Sequence, residues 1–201
     1  MSYNQEYVKD VIQNSGNKNI DDVYRYRLDI ELKKDGFEGE ERIVFILMNP
    51  SVANEKEDDP TTSNIISNVF KNESTVKNIV TLNTIPLKET YKNELNEKLD
   101  NLSNIEISAM MESNKEYFRT VFEEEETTKI VIATGDGRDR NAKFRELQAE
   151  MYSFMQEILK EKHQLLVYDI NSIIEYGSHP QGKKYELKSV RFKNKVVLEL
   201  M

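Results

Sequence analysis

The apolar segment 43–48 limits the fold of this chain more than any other feature of its sequence. Its six side chains, Ile-Val-Phe-Ile-Leu-Met, do not alternate with polar ones, and such a run is typical of a strand covered on both faces. Asn49 and Pro50 follow directly and indicate a turn. Ligands of open α/β sheets bind beyond the carboxyl ends of the strands. We therefore expect the functional site near Asn49.

Three further apolar runs follow the same pattern along the chain. They lie at 79–82, 129–133 and 165–168, and each ends in polar or turn-forming residues, such as Asn83 after the first of them. Short apolar runs with β-branched residues predict buried strands. We expect the polar groups that end these strands to converge on one site.

Helical spacing of apolar residues separates these runs. A first helix is predicted after Asp58-Asp59-Pro60, a long second one over about 92–122, and a third over about 139–161. Strands that alternate with helices predict an α/β fold. We expect a three-layer α/β/α sandwich with a mostly parallel central sheet.

The two ends of the chain depart from this alternation. The first 20 residues are polar and predict an N-terminal extension made of a short amphipathic helix and a loop. Segment 24–32 alternates polar and apolar side chains, as a half-buried strand does, and 190–200 predicts an edge strand. Because 201 residues suit one domain, we expect 1–201 to form a single unit.

Composition excludes several kinds of chemistry. The chain has no cysteine, so disulfides, thiolate nucleophiles and cysteine-ligated metal centres are ruled out. The first residues lack the basic lead and apolar core of a secretory signal, and no apolar run approaches about 18 residues. We expect a cytoplasmic monomer that does not associate with membranes.

The charge of the chain is unevenly distributed. Its net charge of −8 opposes a general attraction to nucleic acid, whose phosphates favour Lys and Arg. Segment 177–195 nevertheless carries six basic residues against one acidic residue. This basic stretch predicts either contacts with phosphates or a solvent-exposed edge strand protected by its lysines.

Three residues at predicted strand ends or in the following loops are candidates for chemistry. Asn49 can serve a site or only a turn, because Asn before Pro readily bonds its own backbone. Asn83 can likewise serve the site or cap a helix. His179 lies in the polar loop Gly-Ser-His-Pro-Gln-Gly, where a core role is unfavourable and a functional one is expected. His163, at a predicted helix end, is expected to face water.

Two further motifs have competing interpretations. Asp58 and Asp59 can hold a divalent cation, but their position before a helix favours capping. The segment Thr134-Gly-Asp-Gly-Arg138 can cradle a phosphate with its backbone amides or form a tight strand-to-helix turn. It lacks the lysine of a P-loop and the third glycine of a dinucleotide fingerprint. We expect neither a metal nor a cofactor.

The motifs at the strand ends resemble those of the uracil-DNA glycosylase superfamily. That superfamily has an Asp-Pro or Asn-Pro turn after its first sheet strand, a Leu-Asn turn after its second and a His-Pro-Ser loop after its last. The matching segments here are Met48-Asn49-Pro50, Leu82-Asn83-Thr84 and His179-Pro180-Gln181. The chain is more closely similar to an uncharacterised bacterial and phage family with Asn-Pro-Ser-x-Ala, Asp-Asp-Pro-Thr and His-Pro motifs. Asn49-Pro-Ser-Val-Ala53 and Asp58-Asp59-Pro60-Thr61 carry that similarity.

The superfamily resemblance implies an enzyme that removes uracil, or a related altered pyrimidine, from DNA during repair. Asn49 would orient the attacking water, since its amide cannot accept a proton. His179 would stabilise the departing base, and Asn83 would recognise the base edge. The site should be slow because it lacks a carboxylate at the water position.

Further residues follow from the same resemblance. Met48, Pro50 and Phe70 would contact the base together with Asn83, with Tyr24 and Tyr91 as other candidates for the stacking ring. The contacts with the DNA backbone would come from Ser51, Gln181, Lys183 and Lys184. The superfamily's apolar wedge is replaced by Lys183, so base flipping from a duplex should suffer, and single-stranded DNA is the expected partner.

Two other functions compete with this one. The first is a catalytically inactive glycosylase-fold protein that binds DNA or nucleotides, or that inhibits a host protein; the acidic net charge and the amide of Asn49 favour it. The second is a small-molecule nucleotide enzyme that uses the turn at Gly135-Asp-Gly137.

Overall fold

The chain forms an α/β structure with eight described strands and four described helices. The computed structural model describes residues 2–14, 23–33, 39–51, 53–135, 140–168, 179–180, 185–193 and 198–201. In chain order the elements are β1 (Val8–Asn14), β2 (Arg27–Leu32), β3 (Glu41–Leu47), α1 (Pro60–Asn72), β4 (Val76–Asn83), α2 (Lys92–Asn101), α3 (Asn104–Glu123), β5 (Thr127–Ile132), α4 (Ala142–Ile158), β6 (Gln164–Tyr168), β7 (Leu187–Phe192) and β8 (Leu198–Leu200). The predicted α/β class is confirmed.

The strands form one mixed sheet in the order β1-β2-β4-β3-β5-β6-β7-β8. The four central strands, β4, β3, β5 and β6, are mutually parallel. The outer strands pair antiparallel on both sides. The expectation of a mostly parallel sheet is therefore wrong, since four of the seven described pairings are antiparallel. The outer strands come from the two ends of the chain, where antiparallel pairing needs no crossover helix.

Strand β1 replaces the helix that was predicted in the first 20 residues. Its residues Val8, Val11 and Ile12 are β-branched and favour a strand. β1 pairs antiparallel with β2 from Val8 opposite Leu32 to Asn14 opposite Arg27. The N-terminal segment is thus part of the sheet. A helix was predicted there because the short apolar pattern of this segment fits both the helical and the strand period.

Two helices, α2 and α3, stand where one helix was predicted over 92–122. The break falls at Leu102, which ends α2, and at Ser103, which caps α3. The Ser103 hydroxyl accepts a hydrogen bond from the amide of Glu106, whose carboxylate accepts one from the amide of Ser103 at 2.8 Å. This capping box starts a new helix, and its Ser-x-x-Glu pattern is visible in the sequence. Among the described helices, none combines the length and apolar character needed to cross a bilayer.

Strand β3 is buried on both faces, as its sequence predicts. Val44 and Ile46 belong to the apolar cluster that contains α2, α3 and α4. Ile43, Phe45 and Leu47 belong to the cluster on the other face, which contains α1. Three helices therefore cover one face of the central sheet, whereas α1 is the one helix described on the other.

Phe45→Ala should destabilise the protein by about 3–5 kcal/mol, because the ring is fully buried and its removal leaves a cavity in the core. Urea unfolding followed by circular dichroism measures this change. Ile105→Ala is the control, since Ile105 is 83% exposed and should change the free energy of unfolding by no more than about 0.5 kcal/mol. Equal effects of the two substitutions would contradict the packing described for β3.

Candidate functional site

A cavity of about 510 Å³ lies at the carboxyl ends of β3 and β5. The turn after β3 and the loop after β5 form two of its sides, and the N-terminus of α1, His179, Arg25 and the segment Glu89-Thr90 also line it. Its volume lies in the range of about 300–1,000 Å³ that is usual for ligand pockets. The position agrees with the site expected from the strand ends.

The turn after β3 places Asn49 on the cavity wall. The Asn49 side-chain amide donates hydrogen bonds to the carbonyl oxygens of Glu89, at 2.6 Å, and Pro50, at 3.1 Å. Met48 is tied to the segment after β4 in the same way, because its carbonyl accepts from the amide of Ile85 at 3.0 Å. The amide nitrogen of Asn49 is thus occupied. Within the described residues its carbonyl oxygen accepts no hydrogen bond, so this atom is the group that Asn49 offers to the cavity.

His179 lies on the opposite part of the wall. The next residue, Pro180, is buried, and its carbonyl accepts a hydrogen bond from the Asn64 side chain of α1 at 2.6 Å. Gly135 approaches from β5 with a φ of +74°, and a Cβ on it would lie 3.3 Å from the Cβ of His179. Glycine thus serves both the left-handed backbone and the close approach.

Burial and a neighbouring charge act on the pKa of His179 in opposite directions. Partial burial lowers the pKa of the His179 imidazole, and the Asp59 carboxylate acts in the opposite direction. The side chain nevertheless remains open to solvent on one side. A neutral imidazole can donate a hydrogen bond to a ligand but brings no positive charge.

Asp59 has two roles in the structure. One of its carboxylate oxygens accepts a hydrogen bond from the amide of Thr62 at 2.8 Å and caps α1, as the sequence predicts. The other accepts a hydrogen bond from the Ser51 hydroxyl, and the residue lines the cavity. Sequence reasoning found the cap but missed the place of Asp59 in the site.

Asp58 is a neighbouring carboxylate that does not line the cavity. It accepts hydrogen bonds from the amide of Asp59, at 2.8 Å, and from the Ser63 hydroxyl. Burial raises the pKa of the Asp58 carboxyl. In the part of the chain that the structure describes, no group of three or more acidic or histidine side chains is placed to hold a metal ion.

Arg25 is the most buried charged residue of the cavity wall, at 1% exposure. Its guanidinium donates a hydrogen bond to the carbonyl of Ala53. Desolvation lowers the pKa of Arg25 to about 10, and the Asp59 charge opposes that change. Arg25 therefore stays protonated at neutral pH. The alternating pattern of 24–32 suggested an outward side chain, but β2 begins only at Arg27, so the pattern does not extend to Arg25.

Asn83 is not brought into the cavity lining. It is fully buried, and its side-chain amide lies 3.5 Å from the carbonyl of Arg25. Its backbone carbonyl accepts a hydrogen bond from Asn114 at 2.9 Å. The capping interpretation of Asn83 is wrong, because the next helix begins at Lys92 with Tyr91 as its cap.

The predicted stacking rings also lie elsewhere. Phe70 stacks on Tyr7 with ring centroids 4.6 Å apart, in the cluster around α1. Tyr24 stacks on Tyr26 at 6.0 Å, and Tyr91 is 67% exposed. None of the three candidates lines the cavity. Strand periodicity carries no information on which ring would reach a ligand.

Some of the remaining predicted contact residues line the cavity, and others do not. Met48 and Ser51 line the cavity, whereas Pro50 is buried and its carbonyl accepts a hydrogen bond from the amide of Glu89 at 3.0 Å. The Ser51 hydroxyl donates a hydrogen bond to Asp59. It therefore faces the cavity, and its proton is engaged by this carboxylate instead of by a phosphate. The other predicted backbone contacts lie outside the described residues: Gln181, Lys183 and Lys184.

The loop after β5 contributes Thr134, Gly135 and Arg140 to the cavity wall. Positions 136–139 of the predicted phosphate cradle lie outside the described residues. Farther along the chain, β7 pairs with both β6 and β8, so the edge strand on this side is β8, which lies within the segment 190–200 that was predicted to form one.

His163 does not simply face water as predicted. It is partly buried, its Nδ1 accepts a hydrogen bond from the amide of Lys160 at 3.0 Å, and its Nε2 lies 3.1 Å from the carbonyl of Phe122. These contacts place His163 in a connection between the helical layer and β6, away from the cavity.

A family model, DUF1643, matches residues 25–181, and its description is "Protein of unknown function". The matched range includes the Asn-Pro, Asp-Asp-Pro-Thr and His-Pro motifs. Neither a curated protein nor a solved structure matches the chain. These comparisons do not connect the chain with the uracil-DNA glycosylase superfamily.

Asp59→Asn should lower the pKa of His179 further, because it removes the negative charge that raises this pKa. An NMR titration of the His179 ring protons measures the change, and His179 should stay neutral to a lower pH than in the wild type. Asn caps helices as well as Asp does, so α1 should persist. Asp58→Asn is the matched control and should leave the His179 titration unchanged. A pKa that stays the same or rises in Asp59→Asn would contradict the described electrostatics.

Proposed function

The chain belongs to the DUF1643 family, whose description gives no activity, and we propose that it is a DNA glycosylase-like hydrolase. Its reaction would be hydrolysis of the N-glycosidic bond of uracil or a related altered pyrimidine, with single-stranded DNA preferred. One observation carries the proposal: Asn49 and His179, far apart in sequence, line the same cavity. Two of the three motif residues that carry the superfamily resemblance thus line one cavity, whereas Asn83 does not.

The arrangement of the central strands supports the same proposal. The parallel strands follow the order β4-β3-β5-β6, and the site lies at their carboxyl ends, where open α/β sheets bind ligands. With helices on both faces of these strands, we assign the fold as a three-layer α/β/α sandwich of the uracil-DNA glycosylase type. The outer antiparallel strands extend this unit.

Asn49 is assigned to the water that attacks the sugar. Breaking the base-to-sugar bond needs a placed water, and the entropy saved by placing it lowers the barrier. The two carbonyl groups that hold the amide nitrogen of Asn49 fix the orientation of the side chain. Its carbonyl oxygen then accepts a hydrogen bond from the water but cannot take its proton.

His179 is assigned to the departing base. The base leaves with the electron pair of the broken bond, so its ring nitrogen and carbonyl oxygens gain negative charge that a hydrogen-bond donor stabilises. A preorganised donor of this kind contributes up to about 3 kcal/mol. The neutral imidazole favoured here by partial burial suits a donor that does not protonate the base.

The base itself would contact Leu47 and Met48, which line the cavity. Asn83 receives no role in this proposal, because its side chain is outside the lining. The phosphate contacts remain assigned to Gln181, Lys183 and Lys184, which follow Pro180 directly in the sequence.

A catalytically inactive protein that binds DNA or nucleotides is the second candidate. The exclusion of Asn83 from the cavity favours it, because a base would then lack the amide expected to recognise it. Such a protein would bind a uracil-bearing strand with an affinity that falls steeply with salt but would release no base.

Wild-type protein should release uracil from a single-stranded oligonucleotide, which alkali treatment reveals as strand cleavage. Asn49→Ala and His179→Ala should each lower the single-turnover rate, by at least about 10-fold and up to about 1,000-fold, because each removes an interaction made with the transition state. Matched oligonucleotides that carry thymine or cytosine in place of uracil show which of these bases the protein releases.

The control variants replace an Asn and a His that lie away from the cavity. Asn72→Ala removes an exposed Asn on the last turn of α1, and His163→Gln removes the other histidine; both should keep the wild-type rate. Strand cleavage that persists unchanged in Asn49→Ala and His179→Ala would assign the activity to a contaminant and reject the proposal. Binding without cleavage by the wild type would favour the second candidate.

A further inference from the structure

We propose that Asp59 is a catalytic residue of this site, namely the base that accepts the proton of the attacking water. This inference rests on the proposed function. Asp59 supplies the carboxylate that the turn at Asn49 lacks. The site would then be faster than the Asn49 amide alone predicts.

The chemistry requires a proton acceptor. As the water oxygen bonds to the sugar carbon, the bond from that carbon to the base nitrogen breaks, and its electron pair leaves with the base. The water proton passes to the Asp59 carboxylate, and the base anion, stabilised by His179, then takes a proton from solvent. A positioned general base of this kind typically contributes about 10²–10⁴-fold to a rate.

A hydrogen bond joins the Asp59 carboxylate to the turn that carries Asn49. Ser51, which donates to one carboxylate oxygen, lies two positions after Asn49 on the turn, and all three residues line the cavity. The other oxygen accepts from Thr62. An ionised carboxylate has about four lone-pair positions, so two bonds leave it able to accept a water.

The charges around Asp59 fit this role. The protonated Arg25 guanidinium and the Asp59 carboxylate influence each other within the cavity wall, and His179 also experiences the Asp59 charge. The fixed cation reduces the repulsion between the carboxylate and a DNA strand. The negative charge of Asp59 in turn favours the positive charge that develops on the sugar.

The other carboxylates are less suited to this role. Glu89 also lines the cavity, but its carboxylate forms an ion pair with Lys98 at 2.6 Å and accepts hydrogen bonds from the amides of Thr90 and Tyr91. Asp58 bonds Ser63 and lies outside the lining. Among the described carboxylates, Asp59 is therefore the one that lines the cavity and bonds the turn of Asn49 through its side chain, whereas Glu89 contacts this turn through its backbone.

The test compares Asp59→Asn with Asp58→Asn in the uracil-release assay under single-turnover conditions. Asp59→Asn should lose about 10²–10⁴-fold in rate; Asn keeps the helix cap, and circular dichroism verifies that the variant is folded at the assay temperature. Asp58→Asn should retain the wild-type rate. Both variants should bind a uracil-bearing strand as the wild type does.

A second variant separates proton transfer from packing. Asp59→Ser keeps a capping oxygen and leaves space for formate, a small carboxylate that can take the place of the side chain. Added formate should raise the rate of Asp59→Ser and should not affect Asp59→Asn, in which the amide fills the space. Failure of formate to raise the rate of a folded Asp59→Ser would overturn the assignment of Asp59 as the base.

The outcomes distinguish this inference from the proposed function. A wild-type rate in Asp59→Asn overturns the inference and leaves the glycosylase proposal intact. Equal losses in Asp59→Asn and Asp58→Asn also overturn it, because they indicate a structural effect. If the wild type releases no base, the proposed function fails and the inference fails with it.

Discussion

The parallel pairing of β3 with both β4 and β5 is the constraint on which the site depends. β3 is buried on both faces and has a neighbouring strand on each side, so its carboxyl end has one fixed position. The pairing continues past the strand ends, where the carbonyl of Ile46 accepts from the amide of Ala133 and the carbonyl of Leu47 accepts from the amide of Thr84. The turns after three strands are thus held together by backbone hydrogen bonds before any side chain contributes.

Much of this arrangement could be predicted from the sequence because it depends on local patterns. The apolar run of β3, the cap of α1 at Asp59 and the strand-end position of Asn49 each follow from a few adjacent residues. The Ser-x-x-Glu pattern at Ser103 also lies in a few adjacent residues, although the prediction of one helix over 92–122 missed the break that it marks. The place of His179 in the cavity was predicted from its polar loop, since such a residue has little reason to be in a core.

The parts that could not be predicted depend on contacts between distant segments. Arg25 looked like an outward strand residue, but it precedes β2 and is buried against Ala53. Asn83 ends its strand as predicted, yet its side chain is covered by the segment at Arg25. Strand periodicity gives the face on which a side chain lies only within a strand. Beyond the strand end, the packing of other segments decides which residues reach the cavity.

The electrostatics of the cavity determine what an anionic ligand, such as the DNA strand of the proposed function, would meet in this acidic chain. The net charge of −8 governs long-range attraction, but screening limits its effect to about 8 Å at physiological ionic strength. At the cavity wall, Glu89 pairs with Lys98, which lies outside the lining, and the Asp59 charge acts on Arg25. Each described carboxylate of the wall is therefore accompanied by a cation, so a substrate that has reached the site meets oriented donors and acceptors rather than an excess of negative charge.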